Sequence, residues 1–496
     1  MSKKNTLFKN TIFKSLLNIV NIVVPLIIGP YIMRLLDVDL YGTYNRVLSE
    51  FQVFMVFAAF GVYTLGVREI SKVRDDEKKV SKLFTNLFVI SLMSNLLIMV
   101  IYILYAILTS SGTAQMIYFV FNIQIIANVF YVEFVNEALE NYKFITIKSI
   151  IVKIIYLISI LLFIKNPDDV VIYAIVVSAT IFLNNIISFI YAKSKIKFDF
   201  SILKFKIKIN LLNNIKFKKY IKPLLAVLVI SNVELLYGQL DRVLLGKFVS
   251  DVSVTVYYTA YYLVSTLASI PYSIINVSIP RLSYILKNET QEKYEEKLAN
   301  SISSLLFIIV PMCLGVFVLS KEIVILYAGE KYTNITIPLM VACISRIFIS
   351  LESVMNNLVM YPNDKENRIL KITALCGVSN LCVNFLLIGL NIFNPITALV
   401  TTGLAELSVF IIHYNYAKRK MKINVNIFTR KNITYIVLSL LFIPISLVIK
   451  CLNLNFWVEI ILTMLTCMTL YFVVLYIRKD NNLIFILSKF LKRSRI

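Results

Sequence analysis

Residues 84 to 108 read FTNLFVISLMSNLLIMVIYILYAIL. These 25 residues hold no Asp, Glu, Lys or Arg, and no Gly or Pro to break a helix. At about 1.5 Å per residue the run extends roughly 37 Å, enough to cross a hydrocarbon core of about 30 Å. It is too long for a strand or for the buried helix of a small soluble domain. The residues just before it, 65–83, carry six Lys and Arg. An apolar span with a basic flank is the signature of a transmembrane helix anchored on the cytoplasmic side.

Outward from this run the pattern repeats. Fourteen such runs can be read along the 496 residues, at 11–33, 42–64, 84–108, 116–139, 146–164, 170–192, 223–246, 255–280, 300–319, 335–360, 371–391, 396–416, 433–450 and 457–477. The basic residues test the count. Forty Lys and Arg fall in the N-terminal flank and every second loop, six in the intervening set, and five inside the runs. This alternation predicts that both termini are cytoplasmic. Composition agrees: 58% of residues are hydrophobic and 16% charged, too few charges to cover a soluble surface. A disordered chain and a disulfide scaffold are excluded on the same grounds. The net charge of +23 would suggest nucleic acid in a soluble protein, but here its placement points to anionic lipid.

The longest internal loop, 193–222, has ten lysines and one acid, Asp199, and reads as a basic cytoplasmic linker on the lipid surface. It separates six runs from eight. DVDLYGTY (Asp37–Tyr44) can be laid on DVSVTVYY (Asp251–Tyr258), each following the first helix of its half on the outer side. Two parallel six-helix repeats follow from this. The predicted fold is an all-α polytopic membrane protein of about 14 transmembrane helices, as two six-helix bundles plus a C-terminal pair. Its domains are 1–192, the linker 193–222, 223–417, and 418–496 with a final helix pair and basic cytoplasmic tail. Such a plan suggests a transporter with a cavity between the bundles. The first run is too long for a cleavable signal and is expected to stay as a helix.

Catalytic chemistry finds little to work with. The six cysteines (Cys313, Cys343, Cys376, Cys382, Cys451, Cys467) form no CxxC pair, and five of them lie inside apolar runs as small buried hydrophobes. His413 is the only histidine, and no phosphate-binding glycine loop is present. No metal site, cofactor or catalytic residue is expected, and the chain does not read as an enzyme.

Ionisable residues at membrane depth are costly and are therefore functional candidates. Arg46 and Glu50 lie one turn apart in the outer half of the second run, where an i,i+4 salt bridge is the simpler reading. Arg346, near the midplane of the tenth, is expected to face a cavity; Glu352 follows six residues on and faces elsewhere. Glu234, mid-helix in the seventh, is the foremost ion-coupling candidate, with Asp241 seven residues on and Arg242 beside it. Glu133 is deeper in the fourth run than Glu137 and Glu140 and joins the ion-coupling set. Arg46, Glu50, Arg346, Glu352 and Arg242 make up the substrate-binding set. Lys153 is expected to snorkel, and His413 to be a satisfied interface residue. Tyr257, Tyr258, Tyr261 and Tyr262 fit either sugar stacking or an interfacial belt. Pro25, Pro30, Pro271, Pro280 and Pro311 interrupt three runs.

RLLDVDLYGTY (34–44) and FGVYTLGVREISK (60–72) resemble the start of the polysaccharide transporters of the multidrug/oligosaccharidyl-lipid/polysaccharide exporter superfamily. DRVLLG (241–246), IPRLS (279–283) and NLCVN (380–384) resemble its later segments in order. The resemblance implies a flippase for undecaprenyl-pyrophosphate-linked oligosaccharide repeat units, driven by a proton or sodium gradient in a bacterial cytoplasmic membrane. Its partners would be the lipid-linked oligosaccharide, membrane lipids and the polysaccharide polymerase, with no nucleic acid. Cationic cavity residues hold the pyrophosphate in that family, and Arg46 and Arg346 are the positions here that could do so. The Lys-, Ile- and Asn-rich composition resembles that of low-GC Gram-positive bacteria, where the product would be a capsule.

A lipid II flippase of the same superfamily would share almost all these features, whereas a multidrug exporter of that superfamily would have fewer basic loops and none of the polysaccharide-type motifs. A membrane glycosyltransferase or polymerase would need paired acids or a large outer loop; the longest outer segment, 321–334, is about a dozen residues.

Overall fold

A computed structural model describes residues 3–196, 224 and 238–493. Among these residues the chain is helical, with turns and no strand. Thirteen helices are long and apolar enough to cross a membrane, matching all the predicted runs except 223–246, most of which lies outside the described residues. The chain is therefore a multi-pass membrane protein.

The helix Glu77–Thr109, which contains the opening run, shows how lipid is accommodated. Leu97, Val100, Leu104 and Leu108 form one stripe at i, i+3, i+7 and i+11, and all are exposed. Phe84, Leu87, Ser91, Asn95, Tyr102 and Ala106 form another face and are buried. An exposed leucine stripe over several turns is unfavourable in water and neutral in hydrocarbon.

The described chain divides into two compact units, Met1–Thr255 and Val256–Ile496. In the first, the second span breaks at Phe60 and Gly61, both left-handed (φ 46° and 69°), dividing it into Val38–Ala59 and Val62–Lys72. The fourth span also breaks, after Val129 and without a left-handed residue, and resumes as Glu133–Ala138. The two short pieces, 62–72 and 133–138, share a core of Val62, Leu65, Phe134 and Val135. Gly66 is required there, because a Cβ at that position would lie 2.4 Å from the Phe134 ring. Tyr63 donates to Glu137 Oε2 (2.6 Å) across the same contact.

In the second unit, Thr336–Val354 packs on Pro395–Arg419, with Gly403 leaving room for the Ser345 hydroxyl. A π-helical turn, Met355–Met360, follows directly. The last two spans are tied in by Tyr471, whose hydroxyl donates to the Phe307 carbonyl (2.8 Å), and by Lys450, which reaches Glu322 Oε1 (3.0 Å). The prolines do not end helices: Lys3–Leu35, Asp251–Asn288 and Gln291–Val318 run through Pro25 and Pro30, Pro271 and Pro280, and Pro311 respectively. Cys382 and Cys451 are exposed, whereas the other four cysteines are buried.

Candidate functional site

The charges at membrane depth gather into three groups. The first surrounds Arg46. Asp37 caps the 38–59 helix by accepting from Asp39 N (3.0 Å) and Leu40 N (3.1 Å), which fixes where Arg46 emerges two turns on. Arg46 Nε donates to Asp251 Oδ1 at 2.6 Å, while its contact with Glu50 is longer at 3.7 Å. Thr43 donates to Asp251 Oδ2 (2.8 Å), and Asn45 to the Thr255 hydroxyl (2.9 Å). Glu50, itself buried, accepts from the hydroxyls of Tyr105 (2.7 Å) and Tyr118. The first DV motif and the opening residues of the second, Asp251 and Thr255, thus meet in the first unit. The approach is close: a Cβ on Gly42 would lie 2.8 Å from the Asp251 carbonyl carbon, and one on Gly246 would lie 2.7 Å from Arg46 Cγ. Asp251 was not legible as a partner, because 205 residues separate it from Arg46. An anionic ligand of Arg46 would have to compete with two carboxylates.

The second group centres on Glu133, at the start of the 133–138 helix. Both its oxygens lie 3.0 Å from Lys148 Nζ, and Lys148 also donates to Ser188 (2.6 Å). The lysine side chain is 2% exposed and the glutamate 10%. By position Lys148 belongs to a basic loop flank; the structure buries it. Beside the pair is a cavity of about 450 Å3 lined by Tyr63, Tyr131, Glu133, Glu137, Lys153 and Asn184 among others. Lys153, half-buried, is part of the lining of this cavity.

The third group lies in the second unit. Arg346 is 5% exposed. Its guanidinium stacks over Tyr261 (4.9 Å to the centroid) and donates to Ser265. Tyr261 stacks in turn on Tyr257, so at least this part of the tyrosine cluster faces a charge. No described carboxylate lies within ion-pair reach of Arg346, and its Nε has no hydrogen-bond partner among the described residues. A buried guanidinium is tolerated when π faces and hydroxyls replace water. A donor left over at that depth is suited to an anion. Glu352 accepts instead from Asn356, within the π-helical turn.

Asp241 and Arg242 are buried in the first unit. Glu234 lies outside the described residues. His413 is fully buried, and neither ring nitrogen has a partner among the described residues, contrary to the satisfied role expected. No group of three or more His, Cys, Asp or Glu among the described residues could hold a metal.

A family model described as "Polysaccharide biosynthesis protein" matches residues 7–286, and the chain belongs to that family. It is 20% identical over 382 residues to a "Putative O-antigen transporter" of Shigella dysenteriae, covering 77% of this chain and 92% of that one. Over 180 residues it is 23% identical to the "Probable low-salt glycan biosynthesis flippase Agl15" of Haloferax volcanii, covering 36% and 38% of the two chains. Its fold is that of a solved lipid II flippase MurJ in an inward closed conformation (TM-score 0.66, 15% identity, 95% and 99% coverage). The chain thus belongs to the polysaccharide biosynthesis family that its motifs resemble, and it has the fold of a solved flippase.

Proposed function

We propose that the protein moves undecaprenyl-pyrophosphate-linked oligosaccharide repeat units from the inner to the outer leaflet of the bacterial cytoplasmic membrane, for a capsule or related surface polysaccharide. The observation that carries this reading is Arg346, a buried cation with no carboxylate in reach and a donor unfilled among the described residues, in a chain of this family. A pyrophosphate would supply the missing charge. Moving sugar hydroxyls through hydrocarbon would strip their hydration, so the head travels along polar side chains while the lipid tail stays in the bilayer. Access alternates between the two sides, both termini are cytoplasmic, and an ion gradient provides direction. Glu133, Glu234 and Asp241 are the residues assigned to ion coupling; Arg46, Glu50, Arg242 and Glu352 support the polar path. No bond in the substrate changes, and the polymerase takes up the product outside.

The test is mass spectrometry of lipid extracts after depletion of the protein in its host. Accumulation of undecaprenyl-pyrophosphate oligosaccharide with level lipid II is expected. Accumulation of lipid II instead would assign the protein to the peptidoglycan precursor. No change in either would point to drug efflux.

A further inference from the structure

The last two spans meet at one end in a pocket of about 270 Å3 that no transport step above uses. Arg430 and Lys431, opening the Arg430–Leu440 helix, face Arg478 and Lys479, which follow the Phe456–Ile477 helix. Four cations share this pocket with one acid, Asp480. That carboxylate is already committed: Oδ1 accepts from the backbone N–H of Asn482 (2.9 Å) and Leu483 (3.2 Å). Oδ2 accepts from Tyr435 (2.7 Å), with Lys431 farther off at 3.7 Å. Arg478 reaches only the Thr434 hydroxyl (3.0 Å), and no ion pair of Arg430, Arg478 or Lys479 occurs among the described residues. The pocket therefore carries an excess of positive charge.

Its rim indicates the occupant. The helix Asn481–Arg493 begins at the pocket, and its sequence, NNLIFILSKFLKR, sets apolar residues among Asn, Ser, Lys and Arg. Ile484, Phe485 and Leu487 are exposed, as is Ile477 on the preceding helix. An amphipathic helix of this kind lies in the plane of the interface, with its apolar face among acyl chains. The basic pocket then sits at headgroup depth. We propose that it binds the phosphodiester headgroup of an anionic glycerophospholipid, the acyl chains resting on the exposed apolar residues at its rim.

The full chain, delipidated in detergent, is titrated with phosphatidylglycerol or phosphatidylcholine and examined by native mass spectrometry. This readout does not depend on membrane orientation or on transport. Binding selective for phosphatidylglycerol is expected, weakened about 100-fold in the Arg430→Ala/Arg478→Ala/Lys479→Ala variant and retained when the three positions exchange Arg and Lys. Should the triple variant fail to fold, Arg430→Ala alone, at an exposed position, is expected to weaken binding about fivefold. Equal binding of the two lipids, or binding unchanged in these variants, overturns the proposal. Displacement of the lipid by millimolar inorganic phosphate would reassign the pocket to free phosphate and overturn it as well.

Discussion

Replacing Lys148 by Ala tests how the interior of the first unit is held together. The ammonium is 3.0 Å from both oxygens of Glu133, and neither side chain is more than a tenth exposed. Removing it strands a carboxylate with the Ser188 hydroxyl as its remaining close partner (2.5 Å). Breaking a buried pair from one side costs about 3–5 kcal/mol, because the surviving charge stays desolvated. Arg74–Glu140 provides the contrast: at 2.6 Å it is shorter, but its side chains are 42% and 48% exposed. Such a pair contributes at most about 1 kcal/mol. SDS-induced unfolding of the detergent-purified protein, followed by circular dichroism, should therefore show Lys148→Ala strongly destabilised and Arg74→Ala nearly normal. The double variant Lys148→Met/Glu133→Gln should recover most of the loss, since the lone charge is gone. Lys148→Ala no worse than Arg74→Ala would refute the reasoning, as would a double variant as unstable as the single one.

Arg346→Ala should reduce export while the protein stays in the membrane, and Arg346→Lys should not restore it, since an ammonium lacks the planar fork that stacks on Tyr261. Normal surface polysaccharide at normal expression would remove Arg346 from the substrate path. Glu234→Gln is expected to lower export with membrane levels unchanged, read in the same assay. Gly42→Ala should destabilise the first unit by about 1–3 kcal/mol, because its Cβ would press on the Asp251 backbone; Gly315→Ala, with open space around it, is the matched control in the same unfolding measurement.

The spans were legible because crossing hydrocarbon imposes one length and one composition on every helix. Individual charges were legible only as deep or shallow. Lys148 looked like a loop-flank lysine since nothing local marks its burial; its partners come from helices 15 and 40 residues away. Arg46 looked paired with Glu50 because i,i+4 spacing is visible in sequence, whereas contact with Asp251 depends on how two distant helix ends meet. Prolines read as interruptions because in water they end helices, while helices in a membrane protein tolerate them when neighbours satisfy the backbone. Arg346 was legible as a deep charge, since a mid-helix arginine cannot easily snorkel, but its stacking on Tyr261 was not, because 85 residues separate the two.

The fit between Gly66 and the ring of Phe134 carries an evolutionary implication. Neither position is free to drift alone: a side chain at 66 needs a smaller residue at 134, and the large ring at 134 is accommodated only while 66 has none. Across relatives that keep the 62–72 and 133–138 segments in contact, the two sites should change as a pair. A homologue with a bulky residue at both would have to hold these segments farther apart.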